Sequence, residues 1–277
     1  MKRAIAIYAI IACIGVSLCG CASDYASIRE GKFDVFAPTP YTGAAFSMDE
    51  KSSAMRASLQ IHKYDEESLK LNGLMNEGKC GNDGCLPHER ANIAYDFKRF
   101  PVITGAFDYF SKNRISMWGA GIGFDPYPFI RTTAGINSRF IEAGVSAYLS
   151  VGNNTYDAKG EWLHKDGIDW YDDTRGEIDC EDCHEIKFHG GFGGFINVFP
   201  IKPLALSYAP FFYRPWWDDE IQNREISFQF PYIISQYFGV SYLIARHVQV
   251  SAGASVYVGD AFAGRYWFFD SGIGFVF

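Results

Sequence analysis

Beyond residue 18 this 277-residue chain has no apolar run long enough to cross a bilayer as a helix, which needs about 20 consecutive apolar residues. Any membrane crossing by the remainder must be made by strands, and strands cross lipid only as a closed barrel. Positive charge is scarce. Setting aside Lys2 and Arg3 at the extreme N-terminus leaves 23 of the 25 basic residues against 32 acidic ones. A chain so acidic, with no basic cluster to neutralise phosphate, speaks against a nucleic-acid partner. Cysteine is sparse too, and four of the seven, Cys80, Cys85, Cys180 and Cys183, lie well past the N-terminal segment. What the chain does have is aromatic side chains, at 17%, and 28 glycines, a composition that suits β-structure facing lipid.

Lys2 and Arg3 open a positive region, followed by an apolar run from Ala4 to Leu18 broken only by Tyr8, Gly15 and Ser17. That run is too short to span and has the order of a secretory signal. It ends in Leu18-Cys19-Gly20-Cys21. This ending resembles the lipobox of bacterial lipoproteins, with the unusual Cys19 in second position. The resemblance implies a signal peptide over residues 1–20 and palmitate-type acylation of Cys21, which would hold the chain by more than one acyl tail. Ala22 follows, not the Asp that marks inner-membrane retention, so the same resemblance implies delivery to the outer membrane. Residues 21–51, with Pro38 and Pro40 and no sustained alternation, read as a lipidated tether.

From there the chain alternates apolar and polar residues, the period of a strand with one greasy face. Met55, Ala57, Leu59 and Ile61 share a parity, as do Trp118, Ala120, Ile122 and Phe124, with Gly119, Gly121 and Gly123 opposite. Val248 to Val258 alternates most regularly. Residues 93–109 and 226–244 each keep one parity through an interruption, which predicts two long strands. The last segment, Arg265 to Phe277, places Trp267, Phe269, Ile273, Phe275 and Phe277 on one face. It resembles the closing strand of Gram-negative outer-membrane β-barrels, whose final Phe serves as an assembly signal. The expected fold is therefore all-β: an antiparallel up-and-down transmembrane barrel over 52–277, with ten strands and with twelve or eight as alternatives. Ten places the turns at Lys112, Ser138, Lys202 and Arg246 on one rim with both termini. The long loops 64–91, 151–184 and 214–224 then lie on the other, as transmembrane barrels arrange them. On that reading the long loops are extracellular and the Cys21 lipid sits in the periplasmic leaflet.

Eight strands leave an interior just filled by side chains, so a ten-stranded lumen should be narrow. The parity points Arg56, Asp96, Asp108, Arg131, Glu142, Lys187, His189, Arg265 and Asp270 inward, as a polar core closed by ion pairs. A proton or ion path along Asp96, Asp108, Glu142 and His189 is the sharper alternative.

Cys80, Cys85, Cys180 and Cys183 are disulfide candidates in an oxidising compartment, with three connectivities open. Cys180 to His184 also matches the C-x-x-C-H haem pattern, without an apolar pocket or second ligand, and the four cysteines with His88 or His184 are conceivable zinc ligands. Asp166, Asp169, Asp172 and Asp173, with Glu177, Asp179 and His184 nearby, form a weak candidate metal cluster without calcium-loop spacing. A solvated acidic loop is the plainer reading, and no cofactor is expected. Trp162, Trp170, Trp216 and Trp217 suit an interfacial belt, although an exposed Trp216-Trp217 pair would also stack on sugars.

Together these features predict a lipidated, non-enzymatic outer-membrane barrel presenting acidic, disulfide-stapled loops outward. Its partners would be membrane lipid, lipopolysaccharide and a surface protein or glycan. Two alternatives stand. One is a hydrolase or lipid-modifying enzyme, because ten-stranded outer-membrane proteases resemble this architecture; it would need an acid–base pair converging at the outer rim, and the sequence has no G-x-S-x-G and no Asp-x-His near a strand end on a defensible register. The other is a narrow pore for small solutes or ions.

Overall fold

The computed structural model describes residues 24–35, 41–46, 52–63, 68–81, 84–97, 102–125, 127–164, 175–214, 219–244, 247–258 and 266–277. In chain order the strands are β1 Asp24–Val35, β2 Ser52–Lys63, β3 Ser68–Leu71, β4 Cys80–Gly81, β5 Gly84–Cys85, β6 Asn92–Phe97, β7 Val102–Lys112, β8 Ser116–Phe124 and β9 Pro128–Asn137. They continue as β10 Ile141–His164, β11 Arg175–Ile201, β12 Leu204–Arg214, β13 Glu220–Ile221, β14 Arg224–Ile226, β15 Ile233–Ile244, β16 Val248–Val258 and β17 Tyr266–Val276.

Ten of these strands close a barrel, in the order β2, β7, β8, β9, β10, β11, β12, β15, β16, β17 and back to β2, each pair antiparallel. Closure leaves no unsatisfied edge in the wall, the condition for strands to stand in lipid. Outside, Trp118, Ile122 and Phe124 of β8, Ile130 and Ile136 of β9, and Trp267, Phe269 and Phe275 of β17 are exposed. Inside are buried polar and small side chains from the alternate positions. The terminal Phe277 completes the closure, exchanging two backbone hydrogen bonds with Met55 at 2.9 and 3.2 Å.

One rim carries short turns. At 113–115 the Asn113 side chain accepts from the Ile115 and Ser116 amides at 3.1 and 2.9 Å, an Asx turn that reverses the chain within three residues. The other rim carries a cap. There β10 and β11 run on together past the wall, paired as far as Leu163 with Arg175. Onto the extended β10 lies β1, antiparallel; β6 and β14 pair with β1 in parallel, β3 adds to β6, and β13 to β14. Gln222 and Asn223 both have positive φ, 51° and 60°, as the two-residue turn between β13 and β14 requires.

This cap differs from the sequence expectation in four ways. Residues 151–184 are largely the extended hairpin, not a loop. The period was hidden because this sheet meets water and protein instead of lipid: Asn154, Tyr156 and Ala158 point in, while Asn153, Thr155 and Asp157 point out. Residues 93–109 and 226–244 are not single long strands. In each, the first part belongs to the cap and the second to the wall, and Ile93, Tyr95, Ile226, Phe228 and Phe230 are buried in protein instead of facing lipid. Parity alone cannot tell hydrocarbon from a folded core. Asp96, expected in the lumen, lies in the cap beside Lys32 at 3.7 Å.

The fourth difference concerns the N-terminus. The stretch read as a tether contains β1, and β1 sits at the long-hairpin rim, with Asp24 opposite His164 near the hairpin tip.

Candidate functional site

Three places hold chemistry: the cap surface, the upper lumen and the lower lumen.

The cap encloses its own core. Phe33 stacks on Tyr156 with ring centroids 5.6 Å apart and meets Phe230 edge-on at 4.8 Å. This core runs without a break into the barrel mouth, joining Phe129, Tyr148, Tyr213, Tyr257 and Phe268 of the wall. Burial pushes the Tyr95 and Tyr156 hydroxyls well above their ordinary ionisation range. They serve as neutral hydrogen-bond donors, Tyr95 to the Pro231 carbonyl at 3.3 Å and Tyr156 to Glu185 at 2.5 Å. On the outward face of β3, β6, β1 and β10 lies a groove of about 410 Å³. Lys70, Ala94, Lys32 and Asp157 occupy one rung across the four strands, and the small Ala94 leaves the depression between the two lysines. Arg90 and Lys159 complete four cationic linings beside Glu30 and Asp157, with Lys32 and Lys159 loosely paired to Asp96 and Asp179 at 3.7 Å each.

Two disulfides are formed, Cys80–Cys85 and Cys180–Cys183. Both are local, so the cross-loop connectivities, the four-cysteine zinc site and thioether-bound haem all lose their thiols. Residues three apart on a regular strand point to opposite faces. A bulge in β11 opposite Asp157 resets the parity, with Tyr156 facing Cys183 but Ala158 facing Cys180. Asp182 supplies the positive φ, 52°, and its amide donates to Asp157 at 2.9 Å. His184 is exposed and bonds Thr155 at 3.1 Å. The remaining metal candidates, Asp166, Asp169, Asp172 and Asp173, lie outside the described residues, as do Trp170, Trp216, Trp217 and Arg265. Among the described residues no three His, Cys, Asp or Glu side chains converge as metal ligands.

In the upper lumen His62 of β2 faces Asp270 of β17 across one rung, Nδ1 to Oδ1 2.5 Å, and its Nε2 meets Thr104 Oγ1 at 2.9 Å. Sequence spacing could not find this trio, because its members are far apart in the chain and share only a register. The arrangement orients an imidazole between a hydroxyl and a carboxylate, as acid–base chemistry requires. It is nevertheless packed tight, with His62 only 1% exposed, and it ties three strands together. His189 lies further round the wall, stacked on Tyr127 and 3.1 Å from the Tyr213 hydroxyl. The proposed proton path of Asp96, Asp108, Glu142 and His189 is not assembled, since Asp96 belongs to the cap.

The lower lumen is a charge network. Asp108 of β7 is fully buried between two arginines: Arg131 donates from Nε and Nη2 at 2.8 and 2.7 Å, and Arg56 from Nη2 at 3.1 Å. Arg56, Asp108, Gly121 and Arg131 form one rung through β2, β7, β8 and β9. Gly121 is needed there, since a Cβ would stand 2.0 Å from Asp108 Oδ1. Beside it Lys112 donates to Glu142 at 3.0 Å. Residues 41–46 lie against this network, inside the wall. Asn197 donates to the Thr42 carbonyl at 2.7 Å, Arg56 to that of Ala44 at 3.0 Å, and Gln249 to that of Ala45 at 3.3 Å. Arg131 covers the Tyr41 ring at 4.3 Å, and Phe46 meets Phe110 edge-on at 5.9 Å.

The closed wall, its apolar outer belt and its filled polar lumen define a transmembrane β-barrel of the outer-membrane class. No family model and no curated protein sequence matches the chain. Solved structures similar to it are outer-membrane barrels. The translocator domain of autotransporter NalP from Neisseria meningitidis is 10% identical, covering 80% of this chain and 88% of that one, with a TM-score of 0.33. Ail, the attachment invasion locus protein of Yersinia pestis, is 10% identical over 83% and 100%, TM-score 0.23. The toluene transporter TodX of Pseudomonas putida is 10% identical over 87% and 94%, TM-score 0.28.

Proposed function

We propose that this barrel is an outer-membrane scaffold that holds the cap at the cell exterior as a surface-binding module. The observation that carries the reading is the cap itself. More than a dozen residues of β10 and β11 beyond the wall, together with β1, β3, β6, β13 and β14, are spent on a folded unit with its own apolar core and an open, cation-rich groove. A pore needs no such unit over its mouth, and an enzyme needs its acid–base pair exposed. The groove has the volume of a small-ligand site, and its four cationic side chains, two of them only loosely paired at 3.7 Å, suit an acidic sugar chain or an acidic patch on a surface protein. Acylation at Cys21 belongs to the same proposal and would add a lipid anchor to the barrel's own hold on the membrane; labelled palmitate incorporated by the full chain and lost in Cys21→Ser is its test.

The binding test displays the full chain on a Gram-negative host and measures retention on arrays of acidic and neutral glycans and on immobilised surface proteins. Binding should fall at least tenfold in the triple variant Lys32→Glu, Lys70→Glu, Arg90→Glu, while heat-modifiable gel mobility stays unchanged. If the native chain binds nothing beyond a barrel lacking the cap, the reading is wrong.

A further inference from the structure

We propose that the chain threads its own barrel, with residues 41–46 filling the lower lumen as a stretch of main chain that the wall grips from inside. The path follows from three placements. β1 lies in the cap, above one rim. Residues 41–46 lie inside the wall and form the lower core with Ala54, Phe110, Met117, Phe195 and Tyr237. Ser52 begins β2 at the opposite rim, across from Lys112. The wall is hydrogen-bonded all the way round, so a chain that starts above one mouth, passes through the interior and resumes at the other rim has gone through the lumen.

A ten-stranded wall explains the need. Eight strands are filled by their own side chains; two more widen the interior, and many of the positions here that face it are glycine or serine. What fills the difference in the lower half is the backbone of 41–46. Three wall side chains from three strands, Arg56, Asn197 and Gln249, donate to its carbonyls, so the wall grips main chain. Gly43 fits because it has φ +64°, and because a Cβ there would stand 2.9 Å from the Phe195 ring. Beside the segment remains a polar chamber of about 30 Å³, lined among others by Arg56, Gln60, Arg131 and Gln249. That space holds a water or two.

The experiment is oxidative cross-linking of the full chain carrying Thr42→Cys and Asn197→Cys, with heat-modifiable mobility identifying the folded fraction. Should that variant fail to fold, the pair Ala45→Cys, Gln249→Cys reads the same placement. An oxidative cross-link formed in the folded barrel and seen as altered gel mobility supports threading, and failure to form it overturns threading. The cap's binding role is tested separately and does not depend on either outcome.

Discussion

Asp108 shows how one residue sets the interior. Its carboxylate is fully buried and satisfied from both sides by Arg56 and Arg131, themselves nearly buried. Ion pairs of this kind contribute little against an apolar alternative, but removing one member leaves charge stranded, at a cost of about 3–5 kcal/mol. Asp108→Ala strands two cations, so it should lower folding stability by about that amount, read as a fall in the guanidinium midpoint of heat-modifiable mobility. Arg56→Met should cost less, because Asp108 keeps its bidentate partner. Equal losses for the two variants would contradict the shared network. The inward positions of Arg56, Asp108, Arg131, Glu142, His189 and Asp270 were legible from parity. Which of them pair was not, because the rung that joins positions 56, 108, 121 and 131 is a matter of register, and register is set by turns and closure.

At the scale of elements, the ten wall strands were readable because lipid imposes a greasy residue at every second outward position. The cap was not, since a sheet bounded by protein and water carries no such mark. Ile93 and Tyr95 share the parity of the wall strand after them, so the pattern alone does not separate the two. Asn153 to His164 has polar outward positions and looked like a loop. What fastens the extended hairpin to β1 is partly ionic. Arg29 and Arg175 both donate to Glu161, and Arg29 also reaches Glu89 at 2.7 Å. The hydrogen bond from Arg175, with the charge of Arg29 beside it, holds the Glu161 carboxyl below its ordinary value of 4.5. A depressed carboxylate stabilises the folded form above the ordinary value, and that contribution disappears as pH falls through the lowered one. Both arginines are about half exposed, so the effect is modest and salt-sensitive. Limited proteolysis with an acid protease should therefore cut the cap faster as pH drops from about 4.5 to 3, with the wall still intact on unheated gels. In Glu161→Gln that acceleration should be weaker.

The same hairpin carries Cys180–Cys183 across its bulge. Closing so short a loop constrains few residues, worth about 2 kcal/mol on chain entropy. Reductant should raise protease cutting near 175–185 without altering the heat-modifiable shift of the barrel. A loss of barrel mobility on reduction would mean that the staple supports the wall as well.

Over the whole molecule, the position of β1 reverses the expected geography of the N-terminus. The chain order β1, lumen segment, β2 puts the start of the described chain at the cap and both the start of β2 and Phe277 at the short-turn rim. Nothing in the residues before Ser52 signals this path. Tyr41 to Phe46 is a short, irregular run, and its fitness for the lumen lies in contacts with Phe110, Arg131 and Asn197 from distant strands. If the cap faces outward, residues preceding Asp24 emerge at the cell exterior, and an acylated Cys21 would be displayed there instead of in the periplasmic leaflet. An epitope inserted between Ala22 and Ser23 distinguishes the two. Intact cells should bind the antibody as strongly as permeabilised ones, and the signal should vanish after surface proteolysis that spares periplasmic markers. Should the antibody bind only after permeabilisation while a tag in 165–174 is reached from outside, the N-terminus and the cap are on opposite sides and the threaded path does not hold.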